Sequence, residues 1–358
     1  MLHYFLHRLL LIVPTLWGII TMNFFIIQCV PGGPVEQTIA ELTMPGIHAT
    51  NRIDQRSDAG ISTQGQENHS SGLSQDTIKE IEKMYGFDKP LWQRYVDLLK
   101  SYLVLDLGKS YYRDAPVLDI ILEKLPVSMS LGFWSILLQY LICIPLGIQK
   151  SRYHKSRFDI YSTHLILLGN AIPTFLFAIV MIIFFAGGDY LQIFPLRGLV
   201  SDNFASLNWW QKILDYFWHL VLPITSIMIG SFASLTMLTK NAFLEEKNKT
   251  YVLTAISKGL NANAIMYNHI FRNAMLLVIA SIPQAIIEMF FTGSLLIEII
   301  FSLDGLGLLG YEATIQRDYP IVFGSLYIFT LIGLIVNILC DAMYSIVDKR
   351  IHFGSQHD

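Results

Sequence analysis

The sequence has little charge and little cysteine, and each shortage excludes a class of protein. Only 15% of its 358 residues are charged, the net charge is −3 and the mean hydropathy is +0.46. This balance argues against a nucleic-acid partner and indicates a lipid environment. The 3 cysteines all fall within apolar runs, which excludes a secreted disulfide framework. We therefore interpret the chain as a membrane protein.

Motifs that carry chemistry are also missing. The triplet Gly108-Lys109-Ser110 is not a phosphate-binding loop, because Leu103 occupies the position where that motif needs its first glycine. The sequence contains no HExxH motif and no Cys/His cluster with metal spacing, and its 10 histidines are scattered. The sequence therefore predicts no catalytic residue and no metal site.

Six apolar runs are each long enough to cross a hydrocarbon core of about 30 Å as an α-helix. Lys and Arg accumulate in cytoplasmic loops, so the basic loop Gln149–Phe158 and the Lys-containing segment after the fourth run are predicted to be cytoplasmic. Six spans then place both chain termini in the cytoplasm. The runs are Leu9–Val30, Val127–Ile148, Ile160–Ala186, His219–Leu238, Ala274–Ile300 and Ile321–Val347.

The region between the first two runs, 31–124, is predicted to lie outside the cytoplasm. Its middle, Gly46–Gln75, is rich in Ser, Gly, Gln and Asn and is predicted to be a flexible insertion. One amphipathic helix is predicted after Ser74, and Pro90 is predicted to open a second. A small helical subdomain thus precedes a membrane core, and the chain ends in a cytoplasmic tail. The domains are 1–30, 31–124, 125–348 and 349–358.

Charged residues and prolines inside the spans are candidates for a translocation path. Glu288 lies near the middle of the fifth run, and Glu298 lies near its outer end. Charges in lipid are costly, so each is interpreted either as an inter-helix hydrogen-bond partner or as a path lining. Pro173 is predicted to kink the third span from within. An unchanged transport rate in a Glu288→Gln variant would favour the structural interpretation of that residue.

The segment Tyr251–Ala274 is polar although it lies between two apolar runs. It predicts a short helix from Thr254 to Lys258, a left-handed stop at Gly259, and a second helix that begins at Ala262. Asn261 is predicted to cap that second helix. Two small residues, Ala255 and Ser257, are predicted to let another protein approach closely. A stripe is predicted to attach the second helix to the membrane bundle, and it consists of Met266, Ile270, Phe271 and Ala274.

This segment resembles the EAA loop of ABC-transporter permeases, in the variant typical of dipeptide and oligopeptide importers. Leu253 and Ile256 stand where that variant has arginines. The resemblance continues through Asp106–Ser110, Ala171–Phe175 and Leu296–Gly307, and further features point to the Yej-type branch, which imports oligopeptides and microcin C. The matching residues of the loop are Tyr251, Val252, Thr254, Ala255, Lys258, Gly259, Leu260, His269, Arg272, Asn273 and Ala274.

The resemblance implies an all-α membrane protein with six transmembrane helices in the type I ABC importer permease fold. Such a subunit moves oligopeptides from the periplasm to the cytoplasm by alternating access, with microcin C-like peptide-nucleotides as further candidates. Its EAA loop rests on a cytoplasmic ATPase. The residues that the resemblance assigns to this coupling are Tyr251, Thr254, Ala255, Lys258 and Gly259.

The resemblance also implies the partners. They are a second homologous permease that completes a heterodimer, one or more cytoplasmic ATP-binding proteins, a periplasmic peptide-binding protein, and the lipid bilayer of a bacterial inner membrane. No nucleic acid is expected, and this chain is expected to bind no cofactor, because ATP and magnesium belong to the ATPase. Two alternatives stay open: an ABC importer for a non-peptide substrate such as nickel or an oligosaccharide, and a proton-coupled secondary transporter that uses Glu288.

Overall fold

The computed structural model describes residues 2–29, 89–187, 190–291 and 294–347. Within these residues the regular structure is helical, which confirms the predicted all-α class. The flexible insertion, the helix after Ser74 and the tail fall outside the described residues. The helices are α1 (Leu2–Cys29), α2 (Leu91–Leu103), α3 (Val117–Arg152), α4 (Arg157–Ala171), α5 (Thr174–Phe185), α6 (Trp209–Lys247), α7 (Thr250–Ser257), α8 (Ala262–Ala264), α9 (Phe271–Phe291), α10 (Ser294–Ile300), α11 (Leu306–Gln316) and α12 (Tyr319–Val347); a 3₁₀ turn covers Phe204–Ser206 and a π-helical segment covers Ile265–Ile270.

Long apolar helices dominate the described residues. Five of them are long and apolar enough to cross a membrane, and a sixth span is present if α4 and α5 count as one broken span. Some helices extend beyond the predicted apolar runs. The helix α3, which contains the second apolar run, covers 36 residues, from Val117 to Arg152.

The third apolar run bends at Pro173, as predicted, but the prediction that this proline lies inside one helix was wrong. The run forms two helices, α4 and α5, which are bent by 96° relative to each other. Ile172 has φ −86° and ψ 123°, and Pro173 has φ −55° and ψ 136°, so both residues leave the helical region. The ring of a proline disfavours helical geometry in the residue before it. The chain therefore turns sharply at Ile172-Pro173, and Pro173 precedes α5 rather than lying inside a helix.

The fifth apolar run also differs from the prediction. The helix that contains Glu288 ends at Phe291, and Glu298 lies in the separate short helix α10. Residues 292 and 293 lie outside the described part of the chain.

The described residues form two compact units. The larger unit comprises 2–13, 119–312 and 328–347, and the smaller unit comprises 14–29, 89–118 and 313–327. In the larger unit α3 and α6 pack very closely, because a Cβ on Gly147 would lie 2.6 Å from the Thr239 Cβ. The apolar centre of this unit includes the buried side chains of Leu131, Ala178, Leu220, Ile297 and Phe301.

The smaller unit confirms the helix predicted at Pro90. That helix begins at Leu91, and Pro90 occupies its N-cap position with φ −61° and ψ 146°. The Tyr327 hydroxyl donates a hydrogen bond to the Tyr102 carbonyl at 3.1 Å, and the two rings meet edge to face. Burial raises the pKa of Tyr102 well above the usual tyrosine range.

The motif at Asp106–Ser110 forms a tight loop in the smaller unit. Gly108 has φ +79°, a conformation that favours glycine, and its N–H donates to the Asp106 carboxylate at 3.1 Å. The Ser110 hydroxyl donates to Asp318, whose carboxylate is almost fully buried. The motif therefore serves loop geometry in this chain.

Candidate coupling site

The helix α7 begins four residues earlier than the sequence predicted. Lys249 is extended, with φ −75° and ψ 150°, and its carbonyl accepts the first hydrogen bond of the helix from the Val252 N–H at 3.0 Å. The end of α7 is as predicted: Gly259 has φ +80°, and its N–H donates to the Ile256 carbonyl at 2.9 Å.

The second predicted helix begins at Ala262, as expected. The Asn261 side chain accepts a hydrogen bond from the Ala264 N–H at 2.7 Å, which confirms its predicted capping role. One feature was not predicted: the helix passes at once into the π-helical segment Ile265–Ile270 before α9 begins. Such segments often mark functional positions in helices.

The inner face of α7 is anchored in a hydrophobic cluster. Val252 is 3% exposed and Ala255 is 5% exposed, and both pack with Phe243 near the end of α6. Ile270 and Ala274 belong to the same cluster, and Met266 and Phe271 pack against it, which confirms the predicted stripe. The prediction that Ala255 presents a small surface to another protein needs correction, because its side chain lies on this inner face.

The outer face of α7 is exposed and largely apolar. Leu253 is 62% exposed and Ile256 is 56% exposed. The neighbouring hydroxyls are satisfied within the helix, because Thr254 Oγ1 donates to the Thr250 carbonyl at 3.2 Å and Ser257 Oγ donates to the Leu253 carbonyl at 3.0 Å. Lys258 and Gly259 are also exposed, next to this face. The two positions where the resemblance expects arginines thus present an apolar surface.

Tyr251 fixes the corner between α6 and α7. Its hydroxyl donates to Glu246 Oε2 at 2.6 Å. Burial, reinforced by this hydrogen bond to a carboxylate, raises the pKa of the Tyr251 hydroxyl. Lys249 lies 3.3 Å from Glu245 Oε1 and 3.4 Å from Glu246 Oε1, and these carboxylates raise its pKa. The half-buried Tyr251 therefore braces the loop, whereas Thr254, Lys258 and Gly259 lie where a partner can reach them. Their coupling role stays a prediction.

Glu298, one of the predicted path residues, is fully buried within the larger unit. Its Oε1 accepts a hydrogen bond from the Ser128 hydroxyl at 2.7 Å, and its Oε2 accepts one from the Leu308 N–H at 2.9 Å. A Cβ on Gly305 would lie 2.6 Å from the carboxyl carbon, and a Cβ on Gly307 would lie 2.8 Å from Oε2. The two glycines of the motif therefore make room for the carboxylate, which favours the structural interpretation of Glu298.

The other two path residues belong to other elements of the fold. Glu288 belongs to α9, and its side chain lies outside the described residues. Pro173 lies at the bend between α4 and α5. Its role in a path, like that of Glu288, stays a prediction. Among the described residues, no group of three or more His, Cys, Asp or Glu side chains is arranged to hold a metal ion.

One polar cluster escaped the sequence reasoning. Lys150 belongs to the basic loop that the charge pattern predicts to be cytoplasmic, and its side chain is 0% exposed. It lies 3.2 Å from the carboxylate of Asp159, which also receives Lys240 from α6. The available signal was Asp159 itself, an acid in the first turn of α4, three residues after the N-cap Ser156.

The class of the protein follows from these features together with a family match. The model of the binding-protein-dependent transport system inner membrane component family matches residues 143–353, a range that includes α7 and both of its anchoring helices. The chain belongs to this family. It is therefore a multi-pass inner-membrane transport subunit and not an enzyme, which confirms the predicted ABC permease class.

Sequence similarity to individual permease proteins identifies the branch of the family to which the chain is most similar among those compared. It is 55% identical to the inner membrane ABC transporter permease protein YejB of Escherichia coli O157:H7, over 98% of both chains. It is 51% identical to the peptidoglycan transport system permease protein YejB of Agrobacterium fabrum, again over 98% of both chains. It is 30% identical to the oligopeptide transport system permease protein AppB of Bacillus subtilis, over 98% of this chain and 99% of that protein. These similarities confirm the resemblance to the Yej-type branch.

Proposed function

We propose that this chain is the permease subunit of an importer that moves peptides across the inner membrane by alternating access, driven by ATP hydrolysis on a partner protein. The names of the relatives support the peptide class, since one is an oligopeptide permease and another belongs to a peptidoglycan transport system. Peptidoglycan fragments carry short peptides, so they fall within the proposed class. Peptide-nucleotides of the microcin C kind are a further candidate within the same class.

The proposed topology follows the distribution of positive charge. Both termini, the loop 149–158 and α7 face the cytoplasm, and residues 89–116, which precede α3, face the periplasm. The proposed assembly contains a second homologous permease, a periplasmic peptide-binding protein, and a cytoplasmic ATPase that binds ATP and magnesium. This chain binds none of these cofactors itself.

The observation that carries the proposal is the two-sided construction of α7. Val252 and Ala255 hold its inner face to α6 and α9, while Leu253 and Ile256 leave an apolar outer face exposed. A helix that is packed on one face and exposed on the other can bind a partner protein on the exposed face and transmit its displacement to the membrane helices. Because the bare face is apolar, its affinity for the ATPase should vary little between low and high salt.

The first experiment is co-purification of this chain in mild detergent, followed by reconstitution of the complex with its binding protein. Oligopeptides, peptidoglycan-derived peptides and a peptide-nucleotide are compared with nickel and an oligosaccharide as stimulants of ATP hydrolysis and as substrates for uptake. Stimulation and uptake by the peptides alone support the proposal. Uptake that a proton ionophore abolishes while ATP hydrolysis continues would support the proton-coupled alternative.

A matched pair of variants tests coupling through α7. Gly259→Pro removes the N–H that bonds to the Ile256 carbonyl and cannot adopt φ +80°. Gly259→Ala keeps the N–H, and its Cβ would meet nothing within 4 Å, so its cost is limited to about 1–2 kcal/mol of backbone strain. We expect Gly259→Pro to insert and assemble but to lose stimulated ATP hydrolysis, and Gly259→Ala to retain most of it. Normal peptide uptake by Gly259→Pro would refute the coupling role.

A further inference from the structure

A buried ion cluster formed by Lys150, Asp159 and Lys240 joins three helices of the larger unit. The Asp159 residue is 4% exposed. Lys240 Nζ donates to both oxygens of its carboxylate, at 2.7 Å to Oδ1 and 2.9 Å to Oδ2. The Lys155 backbone N–H donates to Oδ2 at 3.1 Å, and Lys150 Nζ lies 3.2 Å from Oδ1. One carboxylate thus ties the end of α3 and a turn of α6 to the start of α4.

The two lysines of the ion cluster are held differently. Lys150 Nζ also donates to three neutral oxygens, at 3.0 Å to the Asp159 carbonyl, 2.6 Å to Ser162 Oγ and 2.7 Å to Thr163 Oγ1. Both hydrogen bonds of Lys240 found among the described residues go to the Asp159 carboxylate. Lys150 therefore retains partners when the carboxylate is neutralised, whereas the link between α6 and α4 depends on charge.

The ion cluster carries more cationic than anionic charge. His154 lies at its edge, 39% exposed, with Nδ1 3.4 Å from Asp159 Oδ2. Burying ions is costly, and replacing a buried ion pair with neutral groups of similar size is often neutral or stabilising. Fold stability alone is therefore a weak reason for placing three charged groups at this junction.

Further contacts along α6 connect the ion cluster to the bend at Pro173. A Cβ on Gly230 would lie 2.6 Å from Thr174 Cγ2, and a Cβ on Gly169 would lie 3.0 Å from Ile229 Cδ1. The helix α6 therefore packs against α4 and α5 around their bend, and the Lys240 bond holds it to the start of α4. Beyond Lys240, Phe243 packs against α7.

We propose that Asp159 and Lys240 are positioning residues for energy coupling, which hold α6 to α4 so that a displacement of α7 moves the bent pair α4–α5. This inference rests on the proposed coupling function of α7. The Asp159–Lys240 ion pair acts as a rigid link. It transmits a displacement of α7, through α6, to the bend between α4 and α5. Coupling between sites is reciprocal, so the same link carries the signal of a docked binding protein back to the ATPase.

The decisive variant is the double substitution Asp159→Asn with Lys240→Met in the complete importer. It removes one negative and one positive charge, so the net charge of the ion cluster is unchanged, but Lys150 loses its carboxylate partner. Lys150 keeps its three neutral partners. The matched control is Lys155→Met, because the Lys155 side chain is exposed and its contact with Asp159 uses the backbone N–H.

We expect the double variant to assemble with wild-type basal ATP hydrolysis and with a lowered thermal midpoint, because the buried Lys150 loses its counterion. Stimulation of ATP hydrolysis by the loaded binding protein should fall about tenfold, with a matching loss of peptides taken up per ATP, within the usual range of coupling between linked sites. The control should behave as the wild type. Wild-type stimulation in the double variant would overturn the inference, and so would an equal loss in Lys155→Met.

The single variants complete a thermodynamic cycle. If Asp159 and Lys240 act as one link, the loss of stimulation in the double variant is no larger than in Lys240→Met alone. Independent, additive losses would overturn the link. If the binding protein stimulates ATP hydrolysis in the wild-type complex but no peptide is taken up, only the proposed substrate class is refuted. The stimulation of ATP hydrolysis then still tests the role of the ion cluster.

Discussion

Replacing Gly305 with alanine tests whether the glycines of the 296–307 motif exist to accommodate Glu298. The added Cβ would lie 2.6 Å from the Glu298 carboxyl carbon, from its Oε2 and from Ser128 Oγ. These atoms are buried and bonded, so they cannot move without breaking the Ser128–Glu298 bond of 2.7 Å or the bond of 2.8 Å from the Leu306 N–H to Ser128. If the Ser128–Glu298 hydrogen bond is lost and the buried Leu306 N–H is left without an acceptor, the free energy of unfolding falls by roughly 3–5 kcal/mol.

The matched control is Gly310→Ala, in the helix that follows. A Cβ there would meet nothing within 4 Å, and alanine is favoured over glycine in a helix by about 1 kcal/mol. Thermal unfolding is followed in detergent with a thiol-reactive dye in a Cys29→Ser background, because the two remaining cysteines, Cys143 and Cys340, are buried and become accessible when the fold opens. Gly305→Ala should unfold at clearly lower temperature than the wild type, and Gly310→Ala should not. Equal midpoints for the two variants would refute the steric reasoning.

Two further predictions concern other contacts. Ser110→Ala removes the hydroxyl that donates to Asp318 and that accepts from the Tyr112 and Arg113 N–H groups. We expect the free energy of unfolding to fall by about 2–3 kcal/mol, which lowers the midpoint in the same thermal assay. An unchanged midpoint would contradict this prediction. The raised pKa of Tyr251 means that the folded state holds the hydroxyl proton more tightly than the unfolded state. Its contribution to stability is complete below the usual tyrosine pKa and is lost as pH rises through the raised value. Tyr251→Phe should reduce the loss of stability at alkaline pH, and an identical pH profile would contradict the assignment.

The structural role of Glu298 bears on how acidic residues in membrane helices are interpreted. Its carboxylate is fully buried, and both oxygens accept hydrogen bonds from the same chain. Such a group is satisfied without water or substrate, so the cost of its charge is already offset inside the fold. The Glu298→Ala change would leave Ser128 and the Leu308 N–H without this acceptor, which makes it a stability variant rather than a clean test of transport.

The sequence by itself determined the helical class, most of the spans and the turn chemistry of the coupling loop. These features depend on local physics: apolar runs of membrane length must form helices, Gly259 permits the left-handed stop, and Asn261 supplies an acceptor for the first turn of the next helix. The matched positions of the loop likewise identified its family before any contact was known.

Only the tertiary structure decided which face of each helix is buried and which charges meet. The small size of Ala255 is compatible with either face, and its burial depends on Phe243 of another helix. The proline predicts a break in the helix but not its angle of 96°, which only the three-dimensional structure gives. Lys240 and Asp159 are far apart in sequence, so their bond of 2.7 Å exists only because α6 packs against α4. Long-range electrostatic pairing of this kind leaves no periodic signal in the sequence, because it depends on the three-dimensional path of the chain.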